Sequence, residues 1–456
     1  MKYPQTALLV STALTAMIPA VGGSALSPMI ELETVGVMSN KNQAAWWSPI
    51  VHDPTDGRTY LSYLTPTADP DDTNDHVYIA ARDADGGWTR ADTGGLAYFD
   101  VGHTQTSLAM DGDGVLQVFY GMHSNPIKYR VANTPRSVTG GFSYRPQTTP
   151  FSGGSFTYPN LTTAPDGSVY MMIRDLRSGG GVGQLYRYDP AAVWSHTVDF
   201  AQEAGATVYP DHVMADAAGD LHLIWEWADG GPQATRHLGS YARYEPTSGR
   251  FYRADGSAYD AGPITTATAD VFQPLEGGET FERGVHGFQS AKMALDDQGR
   301  PVVAYAYSTD GTSSGYEHRL ARWTGSAWER QTLSPGPFTS DKPWVAFSDG
   351  MLRYYTTLSA DHELHTGSDD IFLLTSTDLG ATWSDPVAVT RGLDIQRPVG
   401  TTVDGVDYLY LPSVSGETLY FARVSVPEPS TLLAGGGLFG LLLCRCFRPG
   451  RPGGRG

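Results

Sequence analysis

Two histidines flank one short apolar ribbon: His103 in Gly102-His103-Thr104-Gln105 and His123 in Met122-His123-Ser124-Asn125, with a turn at Asp111-Gly112-Asp113-Gly114 between them. The next comparable ribbon turns at Asp166-Gly167, with Tyr158 ahead of it and Arg174 behind it. A tight Asp-Gly turn with nearly equal arms returns the chain to its starting end, so each ribbon is expected to deliver its flanking side chains to one edge. The residue types are complementary. An imidazole exchanges protons near neutral pH, a phenol does so when a nearby cation lowers its pKa, and a guanidinium pairs with a carboxylate through two parallel hydrogen bonds. Such a set suits proton transfer next to a bound carboxylate.

The elements that would position these residues form a repeat. Units of the form apolar strand, Asp/Gly turn, apolar-aromatic strand turn at Gly57, Gly114, Gly167, Gly219, Gly299, Gly350 and Gly405, at spacings of 57, 53, 52, 80, 51 and 55 residues. No long stretch holds a helical apolar period, and Gly 53, Pro 30 and Tyr 25 make the chain rich in turns and aromatics. The expected fold is all-β, a seven-bladed β-propeller over residues 26–424, with one long insertion between Gly219 and Gly299. Equivalent positions then ring one mouth. His103 and His286 each precede a turn Asp by ten residues, Tyr158 and Tyr209 precede theirs by eight and seven, and on the return strands the comparable positions hold His123, Arg174, Trp225 to Trp227 and Tyr307. Asn125, Lys128, Tyr209, Trp225, Trp227 and His286 are accordingly expected to bind a ligand, with core packing an equally weighted reading for the two tryptophans. His222, inside an apolar strand, reads as structural.

A formal net charge of -18 excludes a general nucleic-acid binder, because such a surface repels phosphate. Binding of an acidic polymer would rest on local groups such as Lys128, Arg130, Arg174, Arg177 and Arg187. Both chain ends read as addresses. Residues 1–25 carry Lys2, an apolar run and small residues at Gly23-Ser24-Ala25, the pattern of a cleavable export signal. Residues 425–456 carry Pro427-Glu428-Pro429, an apolar run Thr431–Leu443 and a basic end. That run is short for a bilayer span of ~20 residues. The tail resembles the PEP-CTERM sorting signal, which implies an exosortase-like enzyme as partner, membrane contact through the tail alone, and a destination in the cell envelope or outside the cell. Cys444 and Cys446, the two cysteines of the chain, lie in it, so the body is expected to hold no disulfide and no Cys-ligated metal.

Ser376-Thr377-Asp378-Leu379-Gly380-Ala381-Thr382-Trp383 fits the Asp-box pattern of sialidase and BNR-repeat propellers, a turn of structural value. With Gly102-His-Thr-Gln-Thr-Ser107, Gly121-Met-His-Ser-Asn125, Phe156-Thr-Tyr-Pro159, Arg174-Asp175 and Val208-Tyr-Pro210, residues 44–244 resemble the BNR-repeat family that includes ulvan-type polysaccharide lyases. The resemblance implies a lyase centre made of His103, His123, Tyr158 and Arg174, acting by β-elimination on a uronic-acid polymer. Arg174 would hold the carboxylate, His123 and Tyr158 would form the favoured proton-transfer pair, and His103 would orient substrate or base. Residue types alone leave open which of His103, His123 and Tyr158 is the base.

Weaker signals remain. Asp69, Asp71, Thr73 and Asp75 alternate like half of a calcium loop but lack its Gly and its final Glu, so a structural Ca²⁺ is a minor expectation and no other cofactor is expected. Ser178-Gly-Gly-Gly-Val-Gly183 reads as a loop that lets a saccharide approach the backbone. The competing functions are a glycan-binding surface propeller without activity and a sialidase-like hydrolase. The latter would need three carboxylate-binding arginines from among Arg174, Arg283, Arg353 and Arg397.

Overall fold

All seven turn glycines sit at positive φ, between 69° and 86°, each between two antiparallel strands. Glycine reaches this region without a Cβ clash, which is why these positions punctuate the repeat. The computed structural model describes residues 27–427 apart from 41, 43–46, 68–73, 99–103, 146–149, 190–192, 231–235, 282–286, 309–315, 339–341, 358–369, 396 and 414. Pro28–Glu428 forms one unit, and the other, Met1–Ser27 with Pro429–Gly456, lies outside the described residues apart from Ser27. The expected export and sorting segments therefore fall outside them.

The described residues are all-β with a propeller-like layout of antiparallel sheets. Five sheets have four strands. The sixth has ten, because its two halves are joined by a single parallel contact, Gly181 with Thr207. The first strand, Met29–Val37, pairs along its length with the last, Thr418–Ser425, and closes the sheet of Val399–Val403 and Val406–Ser413.

Alternation within strands explains the packing. In Arg58–Thr65, Tyr60 and Leu64 pack with Leu108 and Val118 of the following sheet, while Leu61 and Tyr63 pack with Val35 and Phe421 of the preceding one. A strand with both faces buried must be apolar throughout, which accounts for runs such as Met171-Met172-Ile173. Similar clusters join Trp344 and Tyr355 to Leu409, and Ala304 and Leu320 to Val345.

Polar contacts also link sheets within this apolar packing, among them one centred on Asp407. Arg353 is bound through both prongs to Asp407, at 2.6 and 2.9 Å, and Tyr355 and Thr402 donate to the same carboxylate. Arg353 is thus committed to a sheet-to-sheet staple and is withdrawn from the carboxylate-binding arginines expected of a sialidase. Asp407→Ala would strand a buried guanidinium and is expected to destabilise the fold by about 3–5 kcal/mol, measurable as a fall in the urea midpoint with unchanged slope.

The Asp box forms as its sequence predicts. Asp378 accepts from the Thr382 amide and hydroxyl at 2.8 and 2.7 Å, and Trp383 packs on Tyr354. Those turn hydrogen bonds hold the Asp378 carboxyl down to about 2.

Candidate active site

His123 does not complete the ribbon on which the sequence places it. The Thr106–Met110 and Leu116–Tyr120 hairpin ends at Tyr120, the backbone turns at Gly121, and His123–Asn125 crosses to pair with Phe156–Thr163 of the next sheet. This crossing brings His123 toward the other candidates. Thr157 lies opposite His123 on one side and opposite Arg174 of Val169–Arg177 on the other. Its Oγ1 accepts the Ser124 amide at 2.8 Å and anchors the crossing strand.

Tyr158 follows at φ 60°, inside a register shift between Thr157 and Asn160. A left-handed aromatic residue in a strand is strained, and such strain persists where surrounding packing enforces it. The ring is 1% exposed, edge-on to Trp47 at 6.4 Å and 5.7 Å from the ring of Tyr209. Burial pushes its phenol up to about 12, against the lowering fields of Arg174 and Arg236. The condition of a Tyr158 pKa lowered by its cation is therefore not met, because desolvation outweighs the cations.

Arg174 is 0% exposed, and its Cζ stacks 4.8 Å from the Tyr158 ring and 4.7 Å from the Tyr209 ring. Its stem lies over Gly181, where a Cβ would stand 2.9 Å from Arg174 Cδ. The Ser178–Gly183 run is thus a strand entry rather than the expected loop, and its missing side chains make room for the arginine and for Thr207 and Phe200. None of the three guanidinium nitrogens has a hydrogen-bond partner among the described residues. Burying such a cation costs several kcal/mol, which two desolvated cation–π contacts of about 2 kcal/mol each offset only in part. The guanidinium retains an unmet demand for an acceptor.

Behind Tyr209 lies a charged cluster that sequence reasoning missed. Arg236 Cζ is 4.1 Å from the Tyr209 ring, and its Nη1 is 3.5 Å from Glu226 Oε1. Asp211 and Lys292 are also buried, and Lys292 donates to the Asp211 main-chain oxygen at 3.0 Å. Burial, reinforced by Glu226, holds the Asp211 carboxyl well above its usual range. The available signal was a single charge inside each apolar run, Trp225-Glu226-Trp227 and Ala291-Lys292-Met293.

A family model described as a BNR repeat-containing family member matches residues 45–335. The chain belongs to the BNR repeat-containing family. No curated protein matches it. Among solved structures it is similar to the polysaccharide lyase Uly1, at 14% identity and TM-score 0.63, covering 85% of this chain and 91% of that one. It is also similar to an ulvan lyase of family PL25, at 18% identity and TM-score 0.66, covering 85% and 95%. The same type of lyase bound to -[GlcA(1-4)Rha3S]- matches at 17% identity and TM-score 0.65, with the same coverage. At these identities the likeness is one of fold.

Within this BNR-repeat chain the structure brings together Tyr158, Arg174 and Tyr209, and places His123 two strands from Arg174 across Thr157. His103, His286 and Arg283 lie outside the described residues. Asn125 is exposed and accepts the His123 amide at 3.0 Å, and Lys128 is half-buried nearby in the chain. Trp225 and Trp227 are corrected: both are 0% exposed and packed on each other, with Phe200 edge-on to Trp225, so neither presents a face to a sugar. Arg177 and Arg187 are tied to Asp175, Asp199 and Asp166, and Arg130 to main-chain oxygens. His222 is structural, with Nδ1 2.8 Å from the Tyr241 hydroxyl. In the expected calcium loop, Asp69, Asp71 and Thr73 lie outside the described residues, and Asp75 accepts from Ser39 at 2.7 Å.

Proposed function

We propose that the protein is a polysaccharide lyase that cleaves an acidic, uronic-acid-containing polymer by β-elimination. The observation that carries this reading is the Arg174 guanidinium, buried without a hydrogen-bond partner among the described residues between Tyr158 and Tyr209, with His123 two strands away. Arg174 pairs with the substrate carboxylate, which acidifies the adjacent C5 proton and stabilises the enolate formed when it leaves. His123 takes that proton, the C4–O4 bond breaks as C4=C5 forms, and Tyr158 gives its proton to O4. A phenol held up to about 12 suits the donor and not the base. Arg174 is 0% exposed, so a carboxylate engages it only with rearrangement of the side chains that cover it, which also expels water.

The seven turn glycines and the strand closure at Met29–Val37 support reading the sheets as a ring of seven blades. Residues 1–25 and 425–456 are proposed as export and sorting signals, on their sequence patterns alone. The functional test incubates the protein with a panel of uronic-acid polymers while following the ultraviolet absorbance of the unsaturated product. Absorbance growth with at least one polymer is the expected result. Glycan binding with no growth across the panel would instead identify a binding propeller.

A further inference from the structure

We propose that Thr157 is a positioning residue whose hydroxyl latches the short segment carrying His123 and so fixes where the imidazole stands relative to Arg174. The effect on turnover rests on the lyase reading, whereas the latch itself does not. Thr157 pairs with His123 on one side and with Arg174 on the other, so the three lie in one row across the sheet. Two strand spacings of ~4.8 Å each separate base and guanidinium along that row. The C5 proton is borne by the carbon next to the carboxylate, so a substrate held by Arg174 offers that proton at one fixed distance from the guanidinium.

Residues 121–128 leave one sheet and return to it between Leu116–Tyr120 and Tyr129–Ala132. The Tyr120 amide donates to the Lys128 main-chain oxygen at 3.1 Å and closes the root of this excursion, while Met122 and Ile127 are buried in the apolar cluster that also holds Tyr158 and Trp47. The tip is built differently. The register shifts between Phe156 and Thr157, which leaves Ser124 as an extra residue at φ 56°. A bulge takes the amide of its extra residue out of the ladder, and this one donates to Thr157 Oγ1 at 2.8 Å. The His123 amide donates to Asn125 Oδ1 at 3.0 Å, a bond inside the tip that does not tie it to the neighbouring strand. Thr157 is 0% exposed, so water replaces its hydroxyl as acceptor only if the packing opens. Thr157 thus adds a side-chain tie at the residue next to the imidazole.

Two substitutions separate the hydroxyl from the rest of the side chain. Thr157→Val keeps the shape and removes the acceptor, whereas Thr157→Ser keeps the acceptor and removes a methyl. In Thr157→Val the Ser124 amide loses its acceptor and the tip loosens. Turnover falls roughly 10- to 100-fold in kcat, the scale of an ångström's misplacement of a reacting group, while KM changes little because Arg174 still receives the carboxylate. Amide exchange in residues 121–128 accelerates roughly tenfold at the same time. Thr157→Ser restores both quantities. A merely structural threonine would lower the melting temperature in both variants and leave kcat per folded molecule unchanged.

The experiment is hydrogen-exchange mass spectrometry of the wild type and the two variants, alongside steady-state kinetics on a uronic-acid polymer and melting curves. Faster exchange in residues 121–128 and a lowered kcat at near-constant KM in Thr157→Val, both restored in Thr157→Ser, are expected. If Thr157→Val does not fold, Thr157→Ala takes its place, and slower exchange in 121–128 with a higher kcat in Thr157→Ser than in Thr157→Ala supports the latch. Wild-type exchange in the variant without a hydroxyl, or equal losses with and without the hydroxyl, overturns it. Faster exchange with wild-type kcat overturns the positioning role. The exchange pattern without turnover by any of the proteins, the wild type included, upholds the latch and sinks the lyase reading.

Discussion

Arg174→Met is expected to lower kcat/KM by roughly 10²–10³-fold, the range for loss of one preorganised electrostatic contact to a developing anion. The same variant is expected to melt at or above the wild-type temperature. Methionine fills much of the same volume between Tyr158 and Tyr209, and it removes a buried cation whose three nitrogens have no hydrogen-bond partner among the described residues. Replacing an uncompensated buried charge by an apolar group relieves its desolvation cost. Activity lost while stability is kept is the pattern of a residue retained for function. A structural arginine gives the reverse, a lower melting temperature with kcat/KM reduced only in proportion to unfolding. Steady-state kinetics and calorimetry on one preparation distinguish the two.

Tyr158→Phe is expected to lower kcat by roughly 10²–10⁴-fold, the usual contribution of a positioned proton donor, with KM changed little. The ring contacts survive the substitution, because Trp47, Tyr209 and Arg174 all meet the aromatic ring. The hydroxyl is the one group lost. Should Tyr158 serve only to stack on Arg174, Tyr158→Phe would retain nearly full turnover, since a phenyl face also attracts a guanidinium.

Much of this was legible from local chemistry. The turns at Gly57 through Gly405 could be found because positive φ demands glycine and because the flanking strands are apolar, and the Asp box because its hydrogen bonds are local to eight residues. Placement relative to those turns also singled out Tyr158, Arg174 and Tyr209, whose side chains meet in the structure. The same reasoning misplaced His123, because nothing local announces that Gly121 ends one sheet and that the next three residues join another. Trp225 and Trp227 were misread for a related reason. Alternation identifies an outward face only when one face is wet, and Leu221–Asp229 is buried on both. Glu226 and Arg236 escaped because their partnership depends on long-range packing around Tyr209, and Arg236 lies outside the repeated strand positions.

The pKa of Tyr158 shows why residue type and proximity are insufficient. A cation at 4.8 Å argues for a lowered phenol, yet complete burial reverses the sign, which is why the proposed mechanism gives Tyr158 the donor's part. Under the proposed elimination, that reversal makes His123 the described residue of the set assigned to the C5 proton.

The central claim concerns bond cleavage by elimination, and mass spectrometry of the products made from a uronic-acid polymer tests it most directly. Elimination adds no water, so the account predicts oligosaccharides whose new non-reducing end is an unsaturated uronate, lighter by one water than the hydrolytic counterpart. Fragments that carry the full mass of hydrolysis products would contradict it.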